Sequence, residues 1–211
     1  MQLPSHFLIT AFIDQHVSEK HVRKHTLAFL LGSVLPDFPF AVLTLLYSAY
    51  YKWFGSLPPN STSNVMEYLH FELFFRDPVW IIGHNTFHSL VVNISLLMIG
   101  VIGMRYRFYW GFTLFWLSAG MGIHTVIDVF THTNDGPLIF FPINWTFRFR
   151  SPVSYWEPDH FGATFMIIEY SVDAAIVTYL LARWMWDRRH NTSAKRWQGW
   201  RKLFSRSEEN D

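Results

Sequence analysis

Long apolar runs recur along the chain, at roughly residues 26 to 50, 88 to 104, 109 to 130 and 163 to 185. Each approaches the ~20 residues that carry a helix across a bilayer. Tyr and Trp stand at their ends, as Tyr50, Tyr51 and Trp53, then Tyr106, Tyr109 and Trp110, then Trp184 and Trp186. Side chains of this kind anchor helix ends at a membrane surface. The pattern predicts an all-α protein, a helical bundle embedded in a membrane with about four apolar spans. Ahead of the first run, Leu3, Phe7, Leu8 and Phe12 read as a short helix capped by Ser5. The first run is interrupted by LPDFP, where Pro36 and Pro39 disfavour continuous helix and leave Asp37 at a junction. Residues 55 to 64, GSLPPNSTSN, are a loop by composition. The segment after it reads as one or two amphipathic helices broken near Pro78, with Glu67, His70, Glu72, Arg76 and Asp77 on a solvated side. Residues 137 to 162 carry four prolines and many aromatics, which predicts a long ordered loop.

Composition sharpens this picture. The 211 residues suit one domain rather than two, expected here as 1–187, followed by a basic tail, 188–211. Charged residues make up 16%, below the ~25% of soluble domains, while aromatics reach 19%, an imbalance that points to lipid. The tail holds Arg188, Arg189, Lys195, Arg196, Arg201, Lys202 and Arg206, and with the Arg105 to Arg107 turn it is expected to be cytoplasmic. Its KRWQGWRKLF suits an interfacial helix on anionic lipid at least as well as nucleic acid, and membrane lipid is the expected partner, with nucleic acid not expected. The first residues lack the basic start and cleavage site of a secretory signal and are expected in the mature protein. Without cysteine, any metal must be held by His, Asp or Glu.

Those residues fall at short helical spacings. In GMGIHTVIDVFTHTNDG, His124 and Asp128 are four apart and share a helix face, with His132 one turn further. GHNTFHSL adds a second pair, His84 and His88. One such pair could be a polar helix end; two pairs, each bordering an apolar run, favour ligation of a divalent ion, zinc foremost. Asp37 is a carboxylate within an apolar stretch, costly to bury unless paired or bound to metal. Glu157, Asp159 and His160 end the aromatic loop; Glu169 and Asp173 sit four apart in the last run, as further ligands, as partners of the histidines or facing a polar groove. A simple topology gathers His84, His88, His124, Asp128, His132 and His160 on the side opposite the tail, while His6 falls on the cytoplasmic side and Asp37 mid-span.

SHFLIT around His6, LLGSVLPDFP around Asp37, HNTFHSL around His84 and His88, and HTVIDVFTHTNDGPLIFFP around His124 and Asp128 run in a fixed order across residues 5 to 142. This order resembles the membrane-bound metal-dependent hydrolases, bacterial inner-membrane proteins distantly similar in motif logic to zinc-dependent phospholipase C. The resemblance implies a multi-pass protein of the bacterial inner membrane with a metal-assisted hydrolytic site. It names no substrate. The chain departs from the common form at Pro39, where a second acidic residue is usual, which weighs against a second ion beside Asp37.

The chemistry expected is attack of a metal-activated water on an ester, such as a phosphoester or a lipid headgroup. The metal ligands are drawn from His6, Asp37, His84, His88, His124, Asp128, His132 and His160. Asp37, Asp159 or Glu157 takes the proton. The alternative is a non-enzymatic membrane protein with a structural metal, or a small ion transporter. Polar residues gathered at span ends rather than mid-span disfavour the transporter.

Overall fold

A computed structural model describes residues 1–17, 25–59, 61 and 64–205, with side chains through residue 190. The described residues are helical and contain no strand. Two compact units are distinguished, Met1–Tyr170 and a second beginning at Ser171.

The first unit opens with α1, Leu3–His16, whose Pro4 occupies the first turn, where its missing N–H costs nothing. Ser5 is not its cap: Gln2 holds that position and Ser5 lies buried inside the helix. The expected first span is in fact two helices, α2, Thr26–Gly32, and α3, Phe38–Trp53, separated by a turn through Pro36. Neither piece is long enough to cross a bilayer, so the count of four spans is not reached.

Next come α4, Val65–Glu67, a π-turn, Tyr68–Leu73, and α5, Phe74–Arg76. Asp77 then caps α6, Pro78–His88, accepting hydrogen bonds from the amides of Val79 and Trp80. Leu69, Phe74 and Trp80 form a buried cluster against Phe40, Leu43 and Tyr47 of α3. Helix α7, Leu90–Arg105, follows α6 after a 46° bend at Ser89, and α8 spans Gly111–Thr131. The loop after α8 ends in a 3-10 turn, Pro158–His160, and leads into α9, Gly162–Ser205.

Helix α8 and the Gly162–His190 part of α9 are long and apolar enough to cross a membrane, and the bent α6–α7 pair makes a third if it counts as one span. Residues 188–205 of the expected basic tail continue α9, while its side chains from 191 onward and residues 206–211 lie outside the described residues.

Candidate metal centre

Four side chains from three places in the first unit converge. Asp37 comes from the turn before α3, His88 from the end of α6, and His124 and Asp128 from one face of α8. One donor atom from each lies within 4.8 Å of the others. His88 Nε2 is 3.1 Å from His124 Nε2 and 3.3 Å from Asp37 Oδ1, and His124 Nε2 is 3.0 Å from Asp128 Oδ2. Around a tetrahedral ion with ligand bonds of about 2.0–2.1 Å, donors stand about 3.3 Å apart. The observed spacings match that edge.

The imidazole tautomers support the same conclusion. His88 Nδ1 donates to the carbonyl of His84 at 2.7 Å, and His124 Nδ1 donates to the carbonyl of Ser33 at 2.7 Å. A carbonyl can only accept, so each Nδ1 carries the proton. In a neutral ring the lone pair is then on Nε2, and the two Nε2 atoms face one another at 3.1 Å. Two lone pairs at 3.1 Å repel unless a cation lies between them. The Nδ1 contact that fixes the ring is also the usual support of a metal-ligating histidine. The residues present thus fit a divalent ion.

Asp128 faces two ways. Its Oδ2 joins the four-residue group, while its Oδ1 is 2.9 Å from His6 Nε2 and 3.0 Å from the Met1 amino group. The His6 contact is close but not aligned as a hydrogen bond, and both His6 ring nitrogens are buried without a hydrogen-bond partner among the described residues. The His6 ring stacks on His124, centroids 3.7 Å apart and planes 15° from parallel. Burial, opposed by the neighbouring Asp128 carboxylate, holds the His6 pKa below its ordinary value, which keeps the ring neutral and able to ligate.

Backbone packing sets these positions. A Cβ on Gly32 would lie 2.1 Å from the carbonyl oxygen of Leu117, and one on Gly120 would lie 2.3 Å from that of Phe29. Only glycine lets α2 and α8 approach this closely. Their contact delivers the Ser33 carbonyl to His124. On the other side, Asn93 donates to Thr125 Oγ1 at 2.9 Å and to the Phe87 carbonyl at 3.2 Å, pinning the α6–α7 bend to α8. Asn85 accepts from the Leu138 amide at 2.7 Å, and Ser89 donates to the carbonyls of Ile139 and Phe141. These buried contacts hold the end of α6, and with it His88, against α8 and the loop that follows.

Asp37 occupies the N-cap position of α3, yet its side chain makes no capping hydrogen bond. An aspartate there normally binds the first helical amides. Here it reaches His88 and His124 instead. Its side chain is 26% exposed while those of His88, His124 and Asp128 are at 0–5%, so the open side of the group is at Asp37.

The model of the YdjM inner membrane protein family matches residues 1–196. The chain belongs to this family. No curated protein and no solved structure matches it.

In this YdjM-family chain the remaining residues singled out from sequence fall around the group rather than in it. His84 supplies its backbone carbonyl to His88. Its ring lies 4.3 Å from that of His88 and 4.7 Å from Phe74, with both ring nitrogens buried and lacking a hydrogen-bond partner among the described residues. His132 donates from Nδ1 to the Asp128 carbonyl at 3.0 Å, and its ring lies 4.7 Å from Tyr155. Burial keeps its pKa below the ordinary value. Glu157 accepts from the amide and side chain of Asn134, which ties the two ends of the aromatic loop together. Asp159 is exposed on the 3-10 turn, and His160 lies on the same turn, outside the four-residue group. Glu169 is buried and accepts from the Gln2 amide at 2.8 Å. His6, which the simple topology separates from the other candidate residues, is beside Asp128.

Sequence inspection missed the Ser33 carbonyl, Asn85, Asn93 and Tyr155. The glycines of LLGSV and SAGMG were the available signal for the first of these. A cavity of about 520 Å³ also went unforeseen; it runs from Phe40, one turn beyond Asp37, past His70 and Phe71 to Tyr155 and Glu157.

Proposed function

We propose that this protein is a membrane-embedded metal-dependent hydrolase that cleaves an ester, a phosphoester foremost, at the Asp37, His88, His124 and Asp128 group. The observation that carries this is the pair of Nε2 atoms facing one another at 3.1 Å beside two carboxylates, with both Nδ1 atoms held on carbonyls. Zinc suits two imidazoles and two carboxylates. When bound, it would lower the pKa of a water toward neutrality and polarise the ester oxygen.

The chain's own residues have separable tasks. The Ser33 and His84 carbonyls orient the imidazoles. Buried Asp128 supplies negative charge on both sides, with the Met1 amino group and the His6 ring against its Oδ1. Asp37, the carboxylate with access to solvent, is placed to take a proton from water; of the three carboxylates considered for that task it alone belongs to the group. The cavity receives the substrate: its wall residues Phe40 and Phe74 rest on His84, and Tyr155 rests on His132.

Purified protein in maltoside detergent, loaded with zinc, should release nitrophenol from bis-nitrophenyl phosphate or a nitrophenyl-phosphoryl lipid. Asp37→Asn should lower kcat at least a hundredfold while keeping a folded protein. Equal turnover by wild type and by Asp37→Asn would contradict the proposal. Metal binding without turnover of any ester would favour a structural metal instead.

A further inference from the structure

The cavity that begins at Phe40, one turn along α3 from Asp37, has a composition the hydrolase chemistry does not explain. Its walls are six aromatic rings, Phe40, Phe71, Phe74, Phe75, Tyr155 and Trp156. Its polar lining is His70, Asn134, Asp135 and Glu157, with no lysine or arginine. Burial keeps the pKa of His70 low, so that ring brings no positive charge at neutral pH. Glu157 is held by Asn134. Asp135 is the odd member. Its Oδ2 accepts from Trp156 Nε1 at 2.9 Å, but its Oδ1 is buried with no hydrogen-bond partner among the described residues. A buried carboxylate oxygen without a partner is costly and calls for a cation or a donor.

Arg148 is near but does not fill that role. It donates to the Gly136 carbonyl and lies 5.2 and 5.3 Å from the ring centres of Phe74 and Phe75. It does not line the cavity, and two carboxylates against one guanidinium leave the surroundings net negative. Its placement also shows that these phenyl rings already serve as a platform for a cation.

We propose that this cavity binds an organic ammonium group, seated against the aromatic rings and facing Asp135. Aromatic faces attract ammonium groups through the ring quadrupole, most strongly where water is excluded, and a carboxylate supplies the balancing charge. The role of the cavity as a substrate subsite rests on the hydrolase proposal; the binding itself does not. The substrate would then carry an ammonium headgroup, as a zwitterionic lipid or as a free soluble amine ester.

The test is calorimetric titration of the full chain in maltoside, with bound metal counted on the same sample. The probes are choline, its uncharged carbon isostere 3,3-dimethylbutan-1-ol, and the short-chain dihexanoyl lipids of phosphocholine and phosphoglycerol. Choline should bind at least tenfold more tightly than the isostere, or the phosphocholine lipid at least tenfold more tightly than the phosphoglycerol lipid. The first result means that ammonium alone suffices; the second, without the first, assigns the site to a lipid headgroup. Asp135→Asn, which retains an acceptor for Trp156, and Trp156→Leu, at a half-exposed position, should each weaken that binding about tenfold with unchanged thermal unfolding. No preference for either charged probe, or full preference retained in both folded variants, overturns the proposal. Preference without turnover leaves it standing and counts against the hydrolase alone.

Discussion

At the scale of the residue, the decisive feature is which nitrogen of each histidine is occupied. His124 and Asp128 are legible as ligands because four positions on a helix bring side chains onto one face. Asp37 is legible because prolines flank it in an apolar stretch. The protons on Nδ1 are not legible, because their acceptors are backbone carbonyls, one of them 91 positions away in sequence. The same blindness makes His84 and His88 look like equivalent ligands. The structure separates them: His88 presents Nε2 to the group, while His84 serves through its carbonyl, which an alanine would keep. His84→Ala should therefore leave zinc affinity within about tenfold of wild type, the modest range expected for a supporting residue. His124→Ala should abolish measurable binding in the same competition titration with a chromophoric chelator. Equal losses in the two variants would put His84 back among the ligands.

At the scale of the element, the hydrophobic pattern located α7, α8 and α9 well and failed on 26 to 50. An apolar run reads the same whether it is one helix or two, and only LPDFP marks the break. Helix pairing was harder to foresee, since it turns on side chains that are missing. Gly120 and Gly122 sit two apart on α8 and look alike in sequence. A Cβ at 120 would strike the Phe29 carbonyl, whereas one at 122 meets nothing within 4 Å. Gly120→Ala should lower stability by about 1–3 kcal/mol as α2 is forced away. Gly122→Ala should be neutral or stabilise by up to about 1 kcal/mol through helix propensity. Thermal unfolding in detergent distinguishes them, and equal midpoints would contradict the close α2–α8 contact.

At the scale of the whole molecule, the described residues invert the distribution of a soluble protein. Buried positions include Ser5, Thr10, Asn85, Asn93, Ser118 and Thr125, while large apolar side chains such as Leu45, Ile94, Met98, Phe130, Ile167 and Leu181 are exposed. In water this arrangement would be unstable; in lipid it places apolar atoms outward and lets polar groups bind one another. It agrees with membership of an inner-membrane family. It also gives the histidines a reason to be where they are, because ionisable groups inside a membrane protein are rare and concentrate at functional sites. The low charge and high aromatic content made the membrane legible in the sequence. The convergence of His6 with Asp128 did not follow from counting spans, because α1, α2 and the turn at Asp37 pack as short pieces beside α8 rather than crossing in sequence.

The central claim is that the four side chains hold a metal ion, and elemental mass spectrometry on detergent-purified protein tests it most directly. Wild type should carry about one or more zinc or similar divalent ions per chain, and a folded His88→Ala, His124→Ala double variant should carry none. A well-folded wild type without metal after purification in zinc-containing buffer, or a double variant that retains it, would contradict the account.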